Sequence, residues 1–416
     1  MRIVFLNPCG QMGGAEICLM DMFMSIRSAE PDWRLSLVLG EDGPLADHAK
    51  AAGVEVIVAP FPRPLARLGD SGGGRIRALW ASLKAAASTV RYASTLTRTL
   101  AKLNPNVIHT NGFKMHVLGV WARPTNKPVI WHIHDYVSTR PLMKRLLRFH
   151  AGRCQAVIAN SQSVASDVRN VCGPTLKTVC IYNAVDLKRY CPTESEPRRG
   201  QANLDSLAGL ARPVEGTVRI GLVATMAHWK GHEVFLRALA RLPEDVPYRA
   251  YVIGGAIYQT ENSQATVDSL RNLARALGVA EKTGFTGYVA EPETAIQSLD
   301  ILVHASTQPE PFGRVIAEGM ACGRAVICSA AGGAAELITD GQDALAHSPG
   351  DDEGLAALLT ALTRDPELRG RLGRAGRITA ERRFDPSRLA SELIPLYRRV
   401  REDFEKQVKT GEVDSR

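Results

Sequence analysis

Two glutamates and the residues between them form the stretch of this sequence whose chemistry is easiest to interpret. In PEPFGRVIAEGMACGRAVICSAAGGAAEL, Glu310 and Glu318 stand on either side of Gly313. If a helix begins near Gly313, its first backbone amides are free to bind an anion. A carboxylate accepts two hydrogen bonds and donates none, which suits the paired hydroxyls of a sugar. The segment therefore indicates a nucleotide sugar, although two surface glutamates stabilised by a helix dipole are the alternative.

A pair of glycines near the start of the chain is a second candidate. Gly13 and Gly14 follow an apolar run in NPCGQMGGAE and open a helical segment. Glycines at such a turn let backbone amides approach a phosphate. The string is not the Gly-x-Gly-x-x-Gly fingerprint of a dinucleotide site, so a tight turn without a ligand is an equal alternative.

Two histidines end an apolar run in WHIHDY, at His132 and His134, directly before Asp135. The end of a parallel strand places side chains at a ligand crevice, which favours a binding role for His134. A buried or capping histidine is one alternative and a metal pair is another. Because the sequence offers no further ligand at a usable spacing, we predict no metal site.

Short β-branched runs alternate with helical periods along the whole chain, as in parallel sheets built from βαβ units. The 416 residues are enough for two or three domains at roughly 150 residues each. We predict an α/β protein of two Rossmann-like parallel-sheet domains that face each other across a cleft, at 1–190 and 217–384. A polar, proline-bracketed linker spans 191–216, and a C-terminal helix with a flexible tail, 385–416, packs back on the first domain. The predicted strands are Ile3–Leu6, Leu35–Leu39, Val54–Val58, Val107–His109, Val129–His132, Ala156–Ala159, Thr178–Ile181, Arg219–Val223, Ala250–Ile253, Thr283–Thr286, Ile301–His304 and Ala325–Cys328.

Charge is divided unevenly between the two halves. The formal net charge is +8, of which residues 1–200 carry +12 and the remainder −4. Between Ser71 and Ser166, 14 Lys and Arg residues stand against one carboxylate, Asp135. This imbalance predicts an anionic partner for the first half. With 45% apolar residues, the composition excludes a disordered, collagen-like or disulfide-scaffold protein.

The cysteines and the apolar runs indicate a compartment. No two of the eight cysteines have Cys-x2-Cys spacing, so we expect free thiols in a reducing environment. No window approaches 18 apolar residues, and MRIVFLNPCG is too short an apolar run for a signal peptide. We expect a cytoplasmic protein, with a peripheral position at the inner face of the membrane as an option. The cysteines are Cys9, Cys18, Cys154, Cys172, Cys180, Cys191, Cys322 and Cys328.

A basic repeat marks the helical stretch between Gly74 and Leu103. Its cations recur every seven residues, nearly two helical turns, and so share one stripe opposite an apolar side. Such a helix is either an ordinary solvated face or a contact for an anionic membrane surface. Nucleic acid is disfavoured because aromatic residues do not alternate with the cations. The stripe is Arg77, Lys84, Arg91 and Arg98, its apolar side is Ile76, Leu79, Trp80, Leu83, Val90 and Leu100, and a second basic cluster is Arg140, Lys144, Arg145, Arg148 and Arg153.

The motifs, taken in order over nearly the whole chain, resemble the retaining glycosyltransferases of family 4, which have the GT-B architecture. They are GGAE at Gly13, HIHDY at His132, YNAVD at Tyr182–Asp186, TMAHWKGH at Thr225–His232, the spaced glutamates and the following AGGAAE.

This resemblance implies a role for each matching residue. Lys230 would contact the donor diphosphate, Glu310 the sugar hydroxyls and Glu318 the ribose. His134 would lie beside the anomeric centre, which with Glu310 and Lys230 makes the implied catalytic group. The remaining implied donor contacts are Gly13 and Gly14 near the phosphates or the acceptor, Gly254, Tyr288 and Val289 near the base, Gly313, Arg314 and Val315 at the diphosphate, and Thr225 and Phe312 without a more specific position.

One departure from the family pattern concerns the diphosphate. Many relatives carry a Gly-Arg pair five to six residues before the lysine, and this sequence has Ala224 and Thr225 there. Either Arg314 or another cation compensates, or the phosphate is held more weakly.

The resemblance implies a retaining hexosyltransferase that uses a nucleotide-diphosphate sugar and needs no cofactor. The lack of an Asp-x-Asp motif favours metal-independent transfer. The basic half and the resemblance together suggest a glycan acceptor, lipid-linked or at the cell surface. The alternatives are a soluble small-molecule acceptor, a non-hydrolysing nucleotide-sugar epimerase, and a sugar- or polyanion-binding protein on a decayed transferase frame. The joint presence of Lys230, Glu310 and Glu318 argues against decay.

Overall fold

The computed structural model describes residues 1–62, 75–192, 203–211, 214–255 and 265–411, and within the helix that begins at Arg75 it describes side chains from 87 onward. Backbone contacts divide the chain into two compact units. The first unit comprises Met1–Tyr182 and Pro386–Arg416, and the second comprises Asn183–Asp385.

The first unit is built on a parallel sheet whose helices connect successive strands. Its strands are β1 (Arg2–Asn7), β2 (Arg34–Leu39), β3 (Glu55–Val58), β4 (Val107–Asn111), β5 (Val129–Ile133), β6 (Ala156–Ala159) and β7 (Thr178–Cys180). They pair in the order β3-β2-β1-β4-β5-β6-β7, all in parallel. The helices are α1 (Gly14–Ala29), α2 (Pro44–Ala51), α3 (Arg75–Leu103), α4 (Phe113–Ala122), α5 (Pro141–His150), α6 (Gln162–Cys172) and, near the end of the chain, α13 (Ser387–Thr410).

The central strands of this unit are apolar on both faces because helices cover both sides of a parallel sheet. All five residues of β5 are buried. Helix α13 packs on α1, and the hydroxyl of its Tyr397 lies 2.8 Å from Nδ1 of His109 at the sheet.

The second unit repeats this architecture. Its strands are β8 (Val218–Val223), β9 (Tyr248–Ile253), β10 (Thr283–Gly287), β11 (Ile301–His304), β12 (Ala325–Ser329) and β13 (Leu345–His347). They pair in parallel, in the order β10-β9-β8-β11-β12-β13. The helices are α7 (His232–Ala240), α8 (Val267–Ala276), α9 (Pro292–Gln297), α10 (Arg314–Ala321), α11 (Asp352–Arg364) and α12 (Pro366–Arg383).

The prediction of two Rossmann-like parallel-sheet domains is confirmed, and each predicted strand is present within two residues of its predicted ends. Strand β13 was not predicted. This strand has three residues and lies at the edge of its sheet, so it lacks a long apolar run from which to predict it.

The basic helix forms as predicted. Of its predicted apolar side, Leu100 is buried and Val90 is exposed, while Ile76, Leu79, Trp80 and Leu83 lie outside the described side chains. In α3, Val90 is 69% exposed, and Tyr92, Leu96 and Leu100 are the residues buried against the sheet. These three residues are spaced four apart and therefore share one face of α3. That face points inward and does not include Val90. Of the basic stripe, Arg91 and Arg98 are exposed, while Arg77 and Lys84 lie outside the described side chains.

Two further expectations can be compared with the described residues. All eight cysteines carry free thiols. Among the helices the structure describes, none is both long and apolar enough to span a membrane.

A buried ionic network anchors part of the segment that was predicted as a linker. Residues 203–207 are helical, and both carboxylate oxygens of Asp205 accept hydrogen bonds of 2.8 Å from the guanidinium of Arg219. The Tyr251 hydroxyl donates to the same carboxylate at 2.5 Å. Burial and this hydrogen bond raise the pKa of Tyr251. The network ties the segment before β8 to β8 and β9.

Replacing Asp205 with alanine should destabilise the second unit by about 3–5 kcal/mol, because it leaves the Arg219 charge buried without its carboxylate. Thermal and urea unfolding would measure the loss. Asp245→Ala is the matched control, since Asp245 pairs with Arg364 on the surface and should cost less than about 1 kcal/mol. Equal losses of stability for the two variants would contradict the assignment of Asp205 as the buried partner of Arg219.

Candidate functional site

The strand order of the second unit reverses between β8 and β11. In open α/β sheets, the loops that leave the carboxyl ends of two such strands diverge and open a ligand crevice. Lys230 lies in the 3-10 turn His228–Lys230 that follows β8, and Glu310 lies in the loop that follows β11. The fold therefore brings these two predicted residues to the same position in the sheet.

Lys230, which is half-buried, and Glu310, which is buried, form an ion pair. The Lys230 Nζ lies 2.8 Å from each oxygen of the Glu310 carboxylate. The Ser306 hydroxyl donates to Oε2 of Glu310 at 2.8 Å, and Nε2 of His304 lies 3.3 Å from the same oxygen. Burial alone would raise the pKa of Glu310, but the charge of Lys230 and the contact with His304 hold it well below its usual range. The carboxylate is therefore ionised.

Sequence reasoning missed His304 and Ser306, although both stand in the HAS segment that ends β11. Parallel strands place the residues at and just beyond their carboxyl ends at the site edge, and this was the available signal.

Backbone hydrogen bonds fix the loops that carry Lys230 and Glu310. The Thr307 amide donates to the Trp229 carbonyl at 2.7 Å, and the Gly333 amide donates to the Glu310 carbonyl at 2.7 Å. The Lys230 ammonium also lies 3.9 Å from the centre of the Trp229 ring, a cation–π distance. Both members of the ion pair thus stand on loops with fixed backbones.

Helix α10 begins directly beyond Glu310. Gly313 is its N-cap with a φ of 89°, a left-handed conformation that favours glycine. Phe312 beside it is buried and Val315 is half-buried. The first amides of an α-helix have no partner four residues earlier in the chain, which lets a helix N-terminus bind an anion. In α10, the Ile316 amide donates to the Gly313 carbonyl at 3.0 Å.

The side chains of Arg314 and Glu318 bind one another on α10. Nε of Arg314 lies 3.3 Å from Oε1 of Glu318, and the Arg314 guanidinium also donates to the Ala184 carbonyl at 3.2 Å. Burial raises the pKa of Glu318 and the charge of Arg314 opposes that effect. Arg314, the candidate second cation for a diphosphate, therefore contacts a glutamate and a backbone carbonyl.

The residues predicted near a base lie just after β9 and β10, and Thr225, another predicted donor contact, follows β8. Gly254 follows β9 with a φ of 131°, and a Cβ there would overlap the Ala224 carbonyl oxygen. Close approach of the loop before Thr225 therefore requires glycine at this position. Tyr288 is 73% exposed and Val289 is half-buried.

In the first unit, the strand order reverses between β1 and β4. The side chains that end these strands meet there, as the Asn111 amide donates to Oδ1 of Asn7 at 2.7 Å. Gly13 is the N-cap of α1 and Gly14 its first residue. The Gly13 amide donates to the Glu16 carboxylate at 3.2 Å, whose pKa is raised by burial. The Gly13 amide, which was predicted to meet a phosphate, therefore donates to the Glu16 side chain in this structure.

His134 follows β5, and its ring packs against that of His132 with 4.0 Å between centroids. Burial lowers the pKa of His132 well below its usual value, so this imidazole is neutral. The structure also brings Cys18 to the two histidines, and the possible ligand atoms of the three residues all lie within 4.8 Å of one another. Cys18 thus adds a third possible ligand atom, which the spacing in the sequence did not indicate.

Lys144 and Arg145 are exposed on α5. They share that helix with two exposed apolar side chains, Leu142 and Phe149, which are 57% and 80% exposed.

Comparison with known proteins gives consistent matches along the chain. Residues 212–379 match the model of the glycosyl transferases group 1, and residues 45–189 match that of glycosyltransferase family 4. The crystal structure of HepE from Anabaena in complex with UDP superposes with a TM-score of 0.77 at 25% identity, over 95% of this chain and 99% of that one.

Two curated relatives match at the sequence level. The spore coat protein SA of Bacillus subtilis is 29% identical over 231 residues, which are 54% of this chain and 59% of the relative. A D-inositol 3-phosphate glycosyltransferase of Xylanimonas cellulosilytica is 29% identical over 245 residues, 58% of this chain and 56% of the relative. The chain thus spans less than two thirds of each.

Replacing Lys230 with methionine should change how the melting temperature depends on pH. In the wild-type protein the folded pKa of Glu310 lies below the unfolded value of about 4.3. The pair therefore stabilises the folded state at neutral pH. This stabilisation is lost only as the pH falls through the low folded pKa of Glu310. Without the lysine, burial raises the folded pKa, and the folded state loses stability as the pH rises through it. The difference in melting temperature between wild type and Lys230→Met should widen from about pH 5 to about pH 8.

The control is the double variant Lys230→Met/Glu310→Gln, in which no carboxyl remains to titrate. Its melting temperature should differ from that of wild type by a nearly constant amount over the same range. A single variant that behaves like the double one would contradict the role of Glu310.

Proposed function

Since the chain belongs to the group 1, family 4 glycosyltransferases, we propose that it transfers a hexosyl unit from a nucleotide-diphosphate sugar to an acceptor hydroxyl, with retention of the anomeric configuration. The observation that carries this proposal is the partly buried Lys230–Glu310 pair at the β8/β11 reversal. It combines a cation suited to a diphosphate with a carboxylate suited to sugar hydroxyls, beside the first amides of α10.

The donor class is supported by the site and by one relative. Structures of the Anabaena relative contain UDP and UDP-glucose, so UDP-sugars are the first donors to test here. Exposed Tyr288 and the glycine at 254 border the proposed base position, at the end of β9 and β10. Glu318 is the proposed ribose ligand and must exchange part of its contact with Arg314 for the ribose hydroxyls.

Binding of the diphosphate would rearrange charge at the ion pair. In the structure Glu310 neutralises Lys230. A diphosphate at the α10 amides would add negative charge on the other side of the ammonium, so Lys230 would be shared between the two anions. Glu310 would then have lone pairs available for sugar hydroxyls. Ser306 and His304 would hold the carboxylate in place during this exchange.

The proposed transfer needs no resident metal or cofactor. The acceptor oxygen forms a bond to the anomeric carbon on the face from which the diphosphate leaves, and the bond from that carbon to the phosphate oxygen breaks. The acceptor proton passes to the departing phosphate oxygen. Lys230 and the α10 amides stabilise the charge that develops on the diphosphate.

We further propose that the acceptor is carried on a lipid and that the first unit contacts an anionic membrane surface. Leu142, Arg145 and Phe149 share one face of α5, because three- and seven-residue spacings return to the same side of a helix. Exposed Trp121 on the neighbouring α4 continues this surface, since its indole donates to Nε2 of His150 at 2.9 Å. Exposed aromatic and basic side chains together are typical of membrane-interface helices. We name this surface the α5 patch; it comprises Trp121, Leu142, Lys144, Arg145, Arg148 and Phe149.

Glu310→Gln and Lys230→Met should each lower the rate of UDP release from UDP-hexoses with acceptor extract by at least about 100-fold, the usual cost of losing a charge-stabilising group. Arg237→Met, an exposed cation on α7 that pairs with Glu233, should change the rate little. NMR of the product should show the donor's anomeric configuration.

Three results would contradict the transferase proposal. They are full activity of both site variants, inversion at the anomeric carbon, and conversion of the nucleotide sugar without any acceptor, as an epimerase would give. If transfer occurred only to a soluble small acceptor, the proposed transferase activity would stand and the proposed lipid-linked acceptor would be wrong.

The α5 patch should bind vesicles that contain anionic phosphatidylglycerol more strongly than vesicles of neutral phosphatidylcholine. Reversing Lys144 and Arg145 to glutamate should weaken co-sedimentation at least about 10-fold, at about 1 kcal/mol per cation. Phe149→Ser should also weaken it, whereas Met24→Ser, a similarly exposed apolar side chain on α1, should not. Vesicle binding that does not depend on lipid charge, or that these substitutions leave unchanged, would contradict the proposal.

A further inference from the structure

Three side chains of the first unit converge although they are far apart in the chain. Cys18 lies on α1, His132 on β5 and His134 just after β5. Their possible ligand atoms, one thiol sulfur and two imidazole nitrogens, all lie within 4.8 Å of one another. Among the residues that the structure describes, this is the group of three with metal-ligand geometry.

The burial of His132 is the second observation, independent of the grouping. Its side chain is 3% exposed, and neither ring nitrogen has a hydrogen-bond partner within the described parts of the chain. Buried polar atoms almost always have partners, and a ring with neither nitrogen satisfied calls for an explanation. A ligand between Cys18 and the two histidines would supply one.

The surroundings of the group are apolar and aromatic. The His109 ring lies 5.2 Å from that of His132, and Phe5 lies 4.8 Å from His109 on the same side of the sheet. The group itself contains no carboxylate, so its donors are borderline to soft. Zn²⁺ and Co²⁺ take thiolate and imidazole ligands, whereas Mg²⁺ and Ca²⁺ require oxygen.

We propose that the first unit binds one Zn²⁺-type transition-metal ion through Sγ of Cys18 and one ring nitrogen each of His132 and His134. Three protein ligands leave one position of a tetrahedral ion for water or another small ligand. The thiol must lose its proton on binding, and that proton passes to solvent. The transfer proposal is argued from Lys230, Glu310 and α10 of the second unit, so it does not depend on this metal site. His134 is the residue that the family resemblance assigns to the transfer site and that this inference assigns to the metal.

The experiment uses the full chain, treated with chelator, dialysed and then titrated with Co²⁺ and Zn²⁺. Co²⁺ should bind at one equivalent per chain and give the charge-transfer absorption of a cobalt–thiolate bond, and one equivalent of Zn²⁺ should displace it. Zn²⁺ should raise the melting temperature, because it binds the folded state, and Mg²⁺ should not.

Cys18→Ser should abolish the charge-transfer absorption, and His134→Asn should weaken Co²⁺ binding at least 10-fold. Cys154→Ser is the matched control, because Cys154 is a buried free thiol of the same unit outside the group, and it should bind as wild type does. His134 is only half-buried, so its variant keeps the test valid if Cys18→Ser does not fold. Absence of stoichiometric Co²⁺ binding by the wild-type chain would overturn the proposal. So would Co²⁺ binding without thiolate absorption, or binding that His134→Asn leaves unchanged.

Discussion

The reversal of strand order in each parallel sheet is the constraint on which the rest of the structure depends. Parallel strands need helical crossovers, so every loop from a carboxyl end emerges at the same edge of its sheet. Where the order reverses, the two adjacent loops run to opposite sides and leave space between them. In the second unit that position holds the Lys230–Glu310 pair, and in the first unit it holds the contact between Asn7 and Asn111.

Charge is handled differently in the two units. The second unit pairs the charges of its candidate site locally, with Glu310 against Lys230 and Glu318 against Arg314. A buried charge without a partner would be costly, so each cation lowers the cost of holding its glutamate inside the domain. The first unit instead leaves many of its cations on the surface, as on α5, where salt-dependent, long-range attraction operates. The exposed cations of α5 therefore belong to a surface, and the proposed donor chemistry does not require them.

Much of the fold was predictable because its signal is local. The strands that end at His304 and Val223 are short, buried, β-branched runs, and such runs predict strands without any tertiary information. The candidate site was accessible for the same reason, since Lys230, Glu310 and Gly313 each stand just after a predicted strand. Errors occurred where burial depends on a partner elsewhere in the chain. Val90 has a helical apolar spacing, yet the sheet lies against the neighbouring face of α3.

The sequence by itself determined the two sheets, the succession of loops at their carboxyl edges and the residue types that those loops carry, because strand and helix periods are written in neighbouring residues. Only the tertiary structure decided which of those residues touch. Glu310 meets Lys230, Asp205 meets Arg219, and Cys18 meets His132 across long stretches of chain. Such contacts depend on strand order, which leaves no periodic trace in the residues. They also depend on the exact rotation of each helix against its sheet, which apolar spacing fixes only to within about one residue position, as Val90 shows.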